Sequence, residues 1–324
     1  MPHSLRWLID LDSRPQIDLA KERKLLAAIA FDSSKRALPF TLDLPPLEPL
    51  SLVVRAHGKV RGGELSGAPL AMDDELMIAE LKLSEVDQGS LKNASQEAYR
   101  RMLSIAQATG YPHILRTWNY FSSINVGEGD QERYKQFCSG RARAIGDAWD
   151  AGEPAATVIG RPARSRWLHV LWLAAKNPGQ AIDNPRQTAP RDYPKQYGQD
   201  APRFARGTLW KSPTRGSILL ISGTAAVVAA ESKHDGELMA QLDECVRNLK
   251  SVLAEAAVRA ARPGRFDAGT VLIAYVRQET KQFDVQKWLK QQFPECQVAV
   301  FHGEVCRKEL LVEIEAIHYF DPPR

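Results

Sequence analysis

The chain has no CxxC pair, no long apolar stretch and little net charge, and each absence removes a class of function. Four cysteines, at positions 138, 245, 296 and 306, are scattered through 324 residues. None is spaced for zinc, and His302 near Cys306 lacks further ligands at metal spacing, so no metal is expected and the thiols read as reduced. The longest apolar run, residues 217–230, is broken by Ser222, Gly223 and Thr224. It falls short of the roughly 18–20 residues that cross a bilayer and reads as a buried strand. No N-terminal segment reads as a signal peptide, so a cytoplasmic protein with no membrane partner is expected. Forty-three basic residues against 39 acidic ones leave a charge of +4, too mild for a nucleic-acid partner. Local basic clusters within 133–143 and 161–166 still suit a small anionic ligand. No GxGxxG follows a predicted strand, and Walker, HExxH and GxSxG motifs are absent. Nucleotide-binding, metalloprotease and α/β-hydrolase assignments lose their support.

What is present is an ordered alternation of strands and helices. Strands are predicted at 5–11, 52–60 and 77–82, with a glycine-rich turn at 61–67. Residues 16–46 give mixed signals. A helix over 94–108 carries Ala98, Met102, Ile105 and Ala106 at helical spacing, capped by Asn93 or Ser95. Strand 113–121, helix 131–150 and strands 156–159 and 167–175 follow. The second half repeats the order: strand 217–229, helix 236–261, strand 270–276, helix 283–293, and strands 297–302 and 310–318. Such a repeat, without obvious sequence identity, predicts an α+β fold of two tandem modules. Each would be a mixed sheet with two helices packed on one face. The divisions expected are an N-terminal module over 1–176, a connection over 177–215 and a C-terminal module over 216–324. The connection holds Tyr193, Tyr197, Phe204 and Trp210, more aromatic than a solvated linker needs, and is expected to be an ordered loop covering a site.

Several stretches carry two readings. Arg133, Tyr134, Phe137 and Arg141 lie roughly on one side of their helix, where they either bind a carboxylate or meet water. Ser222 to Ala226 places small residues inside an apolar strand, which marks a bulge, a pocket floor or tight packing. Cys306 is either a nucleophile with His302 as its base or a small buried wall residue. Glu313 and Glu315 share one strand face, either solvated or aimed into a cleft.

Beyond these readings, the stretch 216–316 resembles a RidA/YjgF-type module: ISGTAA ahead of a long helix, FDAGTVLIAYV, a helix ending QQFPE, and the closing VEIEA. In that superfamily the first glutamate of the terminal E-x-E acts at the ligand site, which implies Glu313. The arginine that many RidA imine deaminases carry on the preceding strand is missing, for that region reads QVAVFHG with Val298 near the position. Earlier motifs sharpen the likeness. HILRTWNYFSSIN, GDQERYKQFCSGRA, DYPKQYG and PRFARG, all ahead of ISGTAA, resemble the chorismatase family over about residues 110–318.

That resemblance implies an enzyme that cleaves chorismate and releases pyruvate, with no metal or organic cofactor. It is most similar to the branch forming 3-hydroxybenzoate, and sometimes 4-hydroxybenzoate, for pigment and ubiquinone pathways. A cysteine seven residues before the key glutamate marks that branch, matching Cys306 and Glu313. Hydrolytic members differ there, while Ala225 stands where some hydroxybenzoate formers have glycine. Glu313 is the implied acid, with Cys306 shaping or assisting. Substrate contacts are implied for Tyr134, Arg141, Tyr193, Lys195, Arg203, Arg206, Gly223, Thr224 and Ala225. Lys195 departs from the family's arginine, replacing a fork by a point charge. RidA modules usually trimerise, so a homo-oligomer is open. The competing class is a RidA-like binding or regulatory protein without turnover.

Overall fold

The computed structural model describes residues 9–12, 25–30, 40–41, 44, 46–48, 50–150, 152–162 and 165–321. Strands β1 (Ile9–Asp12), β2 (Leu25–Ala30), β3 (Phe40–Thr41) and β4 (Ser51–Arg55) form a small sheet in the order β1-β4-β2-β3. The strand predicted over 5–11 lies partly outside the described residues, as does most of 16–46.

The first large unit runs β5 (Arg61–Leu65), β6 (Ala68–Met72), β7 (Leu76–Ser84), α1 (Leu91–Thr109), β8 (His113–Ser122), α2 (Arg133–Ile145), β9 (Ala155–Arg161) and β10 (Trp167–Ala175). The second runs β11 (Gln180–Ile182), β12 (Gly207–Ser212), β13 (Gly216–Ala225), α3 (Leu238–Ala260), β16 (Thr270–Val276), α4 (Gln282–Gln292), β17 (Gln297–His302) and β18 (Val312–Tyr319). A two-stranded ribbon, β14 (Val227–Val228) and β15 (Glu231–Ser232), follows β13. The sheet orders are β5-β6-β7-β10-β8-β9 and β11-β12-β13-β18-β16-β17, strand for strand the same. In each, the parallel pair (β8 with β9, β16 with β17) joins strands separated by the second helix. Two tandem α+β units of one design are therefore present, as the repeat predicted.

Three apolar clusters explain the stacking. One lies between α1, α2 and the first sheet, a second between α3, α4 and the second sheet. The third is shared: Trp118 and Tyr120 of β8 meet Ile273 and Tyr275 of β16 where the inner sheet faces oppose. The Tyr120 and Tyr275 hydroxyls lie 3.2 Å apart in it. Close packing sets one glycine: a Cβ at Gly140 on α2 would collide with the Lys92 carbonyl on α1.

Some predicted boundaries move. The turn expected at 61–67 is the hairpin β5–β6, whose β5 is exposed along its whole length and so shows no alternation. Helix α1 begins earlier, capped by Ser90, whose Oγ accepts from the Asn93 amide at 3.1 Å. Ser95 is inside it, bonded back to the Leu91 carbonyl. Helix α2 stops at Ile145, before Gly146 at φ +49°. Within 177–215, β11 and β12 are strands of the second sheet, and only the stretch between them loops out.

Candidate active site

Strand β18 brings two carboxylates into the interior. Its residues alternate, so Ile314 and Ala316 face the helices while Glu313 and Glu315 face inward between the units. Both carboxylates are buried, at 5% and 1% exposure. They differ in what surrounds them.

Glu315 is saturated with donors. Arg116 Nη2 reaches its Oε2 at 2.5 Å, Trp118 Nε1 reaches Oε1 at 2.9 Å, and Thr157 Oγ1 donates to Oε2. Tyr275 adds a longer bond of 3.4 Å. Three of these four donors come from the first unit.

Glu313 has no such company: no described residue donates a hydrogen bond to it. Its neighbours across the sheet are Ala225 on β13 and Tyr275 on β16. Its carboxyl rests against Gly223, where an added Cβ would overlap Oε1. Gly223 sits in a β-bulge, because the register of β13 against β18 slips between Ile221 and Thr224. Burial first, and then the charge on Glu315, push the Glu313 carboxyl up to about 8. Arg116 and Arg206 act in the opposite sense. A carboxyl raised this far is protonated at neutral pH, while its neighbour Glu315 is held in a salt bridge with Arg116.

Glu313 opens into a cavity of about 320 Å³, within the range of small-molecule sites. Ala156 and Val158 of β9, Gly223 and Ala225 of β13, and Phe204 give it apolar walls. The stretch 187–206 lines it with Gln187, Tyr193, Gln196 and Tyr197. Two guanidiniums point there. Arg206 donates to the Tyr193 hydroxyl at 2.7 Å and to the Thr188 carbonyl, and lies over the Phe204 ring. Arg307 stacks over Tyr197 at 3.9 Å and Tyr193 at 5.5 Å, held by the Ala230 carbonyl and Ser232. At the mouth Lys135, Lys308, Glu132 and Glu309 mix both signs.

Of the residues that the resemblance implies for the site, Glu313, Cys306, Tyr134, Tyr193, Arg206, Gly223 and Ala225 line this one cavity. Four do not. Thr224 is buried and donates to the Ser222 carbonyl. Lys195 lies in a short 3₁₀ turn beside the lining residues Gln196 and Tyr197. Arg203 is spent on Glu153 and Asp150. Arg141 is fully buried behind the wall, stacked on Phe137 at 5.0 Å and Tyr99 at 5.9 Å. Its Nε and Nη1 have no hydrogen-bond partner among the described residues. The α2 face is therefore packed inward rather than solvated, with Arg133 forked onto Glu85 at 2.6 and 2.9 Å.

Cys306 does not have the setting of a nucleophile. Burial, then the nearby Glu313, push its thiol up to about 12. His302 gives it no base, for one ring nitrogen faces the Arg277 carbonyl at 3.2 Å and the other Glu279 at 3.9 Å. Burial likewise keeps the Tyr134 phenol well above its ordinary range, so both groups enter the cavity neutral. Arg307, adjacent to Cys306 in sequence, was the cation that the pattern did not single out. Among the described residues, no cluster of His, Cys, Asp and Glu could hold a metal, and no helix is long and apolar enough to cross a membrane.

Known proteins share this fold. Residues 53–174 match the family described as chorismatase FkbO/Hyg5-like, N-terminal. A 3-hydroxybenzoate synthase of Streptomyces hygroscopicus is 31% identical, over 86% of this chain and 84% of its own length. A chorismatase of the same organism is 32% identical over 83% of this chain and 79% of its own. A chorismatase crystal structure superposes with a TM-score of 0.84 at 27% identity, covering 96% of this chain and 98% of the other. Identity of this extent reaches across both units and the loop between them, and with it the chain belongs to the chorismatase family.

Proposed function

We propose that this protein cleaves chorismate into pyruvate and 3-hydroxybenzoate, with Glu313 as the general acid. The observation that carries this is the protonated, donor-free carboxyl of Glu313 at the wall of a cavity that also holds Arg206 and Arg307. Chorismate is a dianion with an apolar ring between its carboxylates. Two guanidiniums and an apolar wall match it, since Arg presents a planar fork to carboxylates. Arg141 adds a fixed positive charge behind Tyr134.

The reaction starts when Glu313 gives its proton to the terminal methylene of the enolpyruvyl ether. Positive charge builds on the ether-bearing carbon, and the carboxylate left behind faces it. A carboxyl poised near 8 is a suitable donor at neutral pH, whereas one at the ordinary 4.5 would be ionised. The ring's C4 hydroxyl oxygen then displaces the pyruvate oxygen at C3, closing an epoxide and returning its proton to Glu313. Opening of the epoxide at C4, a hydrogen shift from C3 to C4 and loss of one ring proton give 3-hydroxybenzoate. Atoms balance with no water consumed and no net redox change. Cys306 shapes the site as a neutral thiol, and direct elimination of the enolpyruvyl group gives 4-hydroxybenzoate as the minor route.

The test is to incubate the pure protein with chorismate, identify the ring product by chromatography and assay pyruvate. Pyruvate with 3-hydroxybenzoate in equal amounts is the expected result. Pyruvate with a dihydroxycyclohexadiene carboxylate would make the enzyme hydrolytic, and binding without consumption would make it a binding protein.

A further inference from the structure

The buried charge pair behind Glu313 is organised by one hydroxyl of the first unit. Thr157, on β9, has a single proton and two acceptor sites, and all three are used. It donates to Glu315 Oε2, and accepts from Arg116 Nη2 at 2.5 Å and from the Gly223 amide at 3.0 Å. Its rotor is therefore fixed. The Gly223 amide matters because the bulge leaves that residue out of the β13–β18 register, and Thr157 is the acceptor it finds instead. Gly223 is also the surface on which the Glu313 carboxyl lies, and the Thr157 methyl approaches within 3.2 Å of the point where a Gly223 Cβ would stand. The chain neighbours of Thr157, Ala156 and Val158, line the cavity, while Thr157 itself is 1% exposed and is not among the lining residues.

We infer that Thr157 is a positioning residue for the acid: from the first unit it holds the bulge glycine under Glu313 and orients Glu315 beside it. This rests on the reading of Glu313 as the acid. The hydroxyl reaches the reacting carboxyl only through Gly223 and Glu315, and it acts on rate through geometry rather than on substrate affinity.

The experiment compares Thr157→Val, which keeps the shape and removes the hydroxyl, with Thr157→Ser, which keeps the hydroxyl, and with Glu313→Gln. Steady-state pyruvate release from chorismate and the thermal midpoint are measured for each. T157V should lose roughly tenfold or more in kcat with KM within about threefold of wild type, because misplacement of a catalytic group is felt in the chemical step. T157S should recover kcat to within about twofold. A folded T157V with wild-type kcat, or a loss that serine does not restore, overturns the positioning role. Should T157V fail to fold, Thr157→Cys carries the same test, its thiol being a poor donor and acceptor of similar size. An unchanged kcat there, or unfolding of both variants, assigns Thr157 to stability alone and overturns the inference. If E313Q keeps full turnover, the acid reading itself is wrong, whatever the Thr157 variants do.

Discussion

At the scale of single residues, the two carboxylates of β18 show how environment assigns roles to identical side chains. Two positions apart on one face, they were equivalent in the sequence. Glu315 collects its donors from Arg116, Trp118 and Thr157, and Glu313 finds a glycine. The raised Glu313 carboxyl has two consequences with opposite values. In the proposed reaction its protonated form is the acid, so kcat should hold below and fall as pH rises through about 8, read from a pH–rate profile. For stability the sign is fixed by linkage: folded Glu313 binds a proton up to about 8 while the unfolded chain releases it near 4.5. Stability is therefore lost as pH rises through that window. Glu313→Gln should match wild type in thermal midpoint below pH 4.5 and exceed it above pH 8, while losing pyruvate release. Cys306 gives a second check, since a thiol at about 12 leaves on the order of 10⁻⁴ as thiolate at pH 8. Peptide mapping after brief iodoacetamide treatment should find Cys306 unmodified in the folded protein. Rapid, selective alkylation there would restore it as a nucleophile.

Elements explain why part of the site was legible and part was not. The bulge in β13 was signalled by Ser222, Gly223 and Thr224 inside an apolar strand, and it proves to be both bulge and pocket wall. The aromatic excess in 177–215 is spent on packing, with Tyr193, Tyr197 and Phe204 against the cavity and Trp210 in the core. The hairpin β5–β6 was missed because its strand is exposed on both faces, so no alternation exists to read, although Ser66 and Gly67 both take positive φ at its turn. Arg307 was missed for a different reason. What makes it a site residue is its stacking on Tyr193 and Tyr197, more than a hundred positions away, and no local spacing encodes that. Arg141 and Arg203 were marked by type, yet one is walled in and the other consumed by Glu153 and Asp150. The stretch 187–206 supplies a test at its own scale. Tyr193→Phe removes the hydroxyl that receives Arg206 at 2.7 Å and leaves the ring stack in place. A lost hydrogen bond to a charged group is worth about 1.5–3 kcal/mol. KM for chorismate should rise roughly tenfold with kcat less affected. A fall in kcat alone would place Tyr193 in the chemical step.

For the whole molecule, the same charge network that tunes Glu313 also joins the two units. Arg116 and Glu315 come from sequence positions 199 apart, each 2% exposed in its side chain, and meet where the inner sheet faces oppose. Arg116 further donates to the Ile221 carbonyl at 2.8 Å, on the strand that carries the bulge. A buried pair of this kind adds little net stability against an apolar replacement, but removing one partner strands the other. Arg116→Met should therefore cost roughly 3–5 kcal/mol in denaturant unfolding, by leaving the Glu315 carboxylate without its cation. The double variant Arg116→Met with Glu315→Leu should recover most of that loss, because no charge then remains unpaired. Activity should not follow stability back. The double variant removes both charges that act on Glu313 from behind, the anion that raises it and the cation that lowers it. Since the anion is the larger of the two influences, the basic limb of its pH–rate profile should lie below that of wild type. Recovery of stability with a displaced limb would establish that the contact between units is retained for setting the acid. Recovery of both, with an unmoved limb, would reduce the pair to a fastening between two halves.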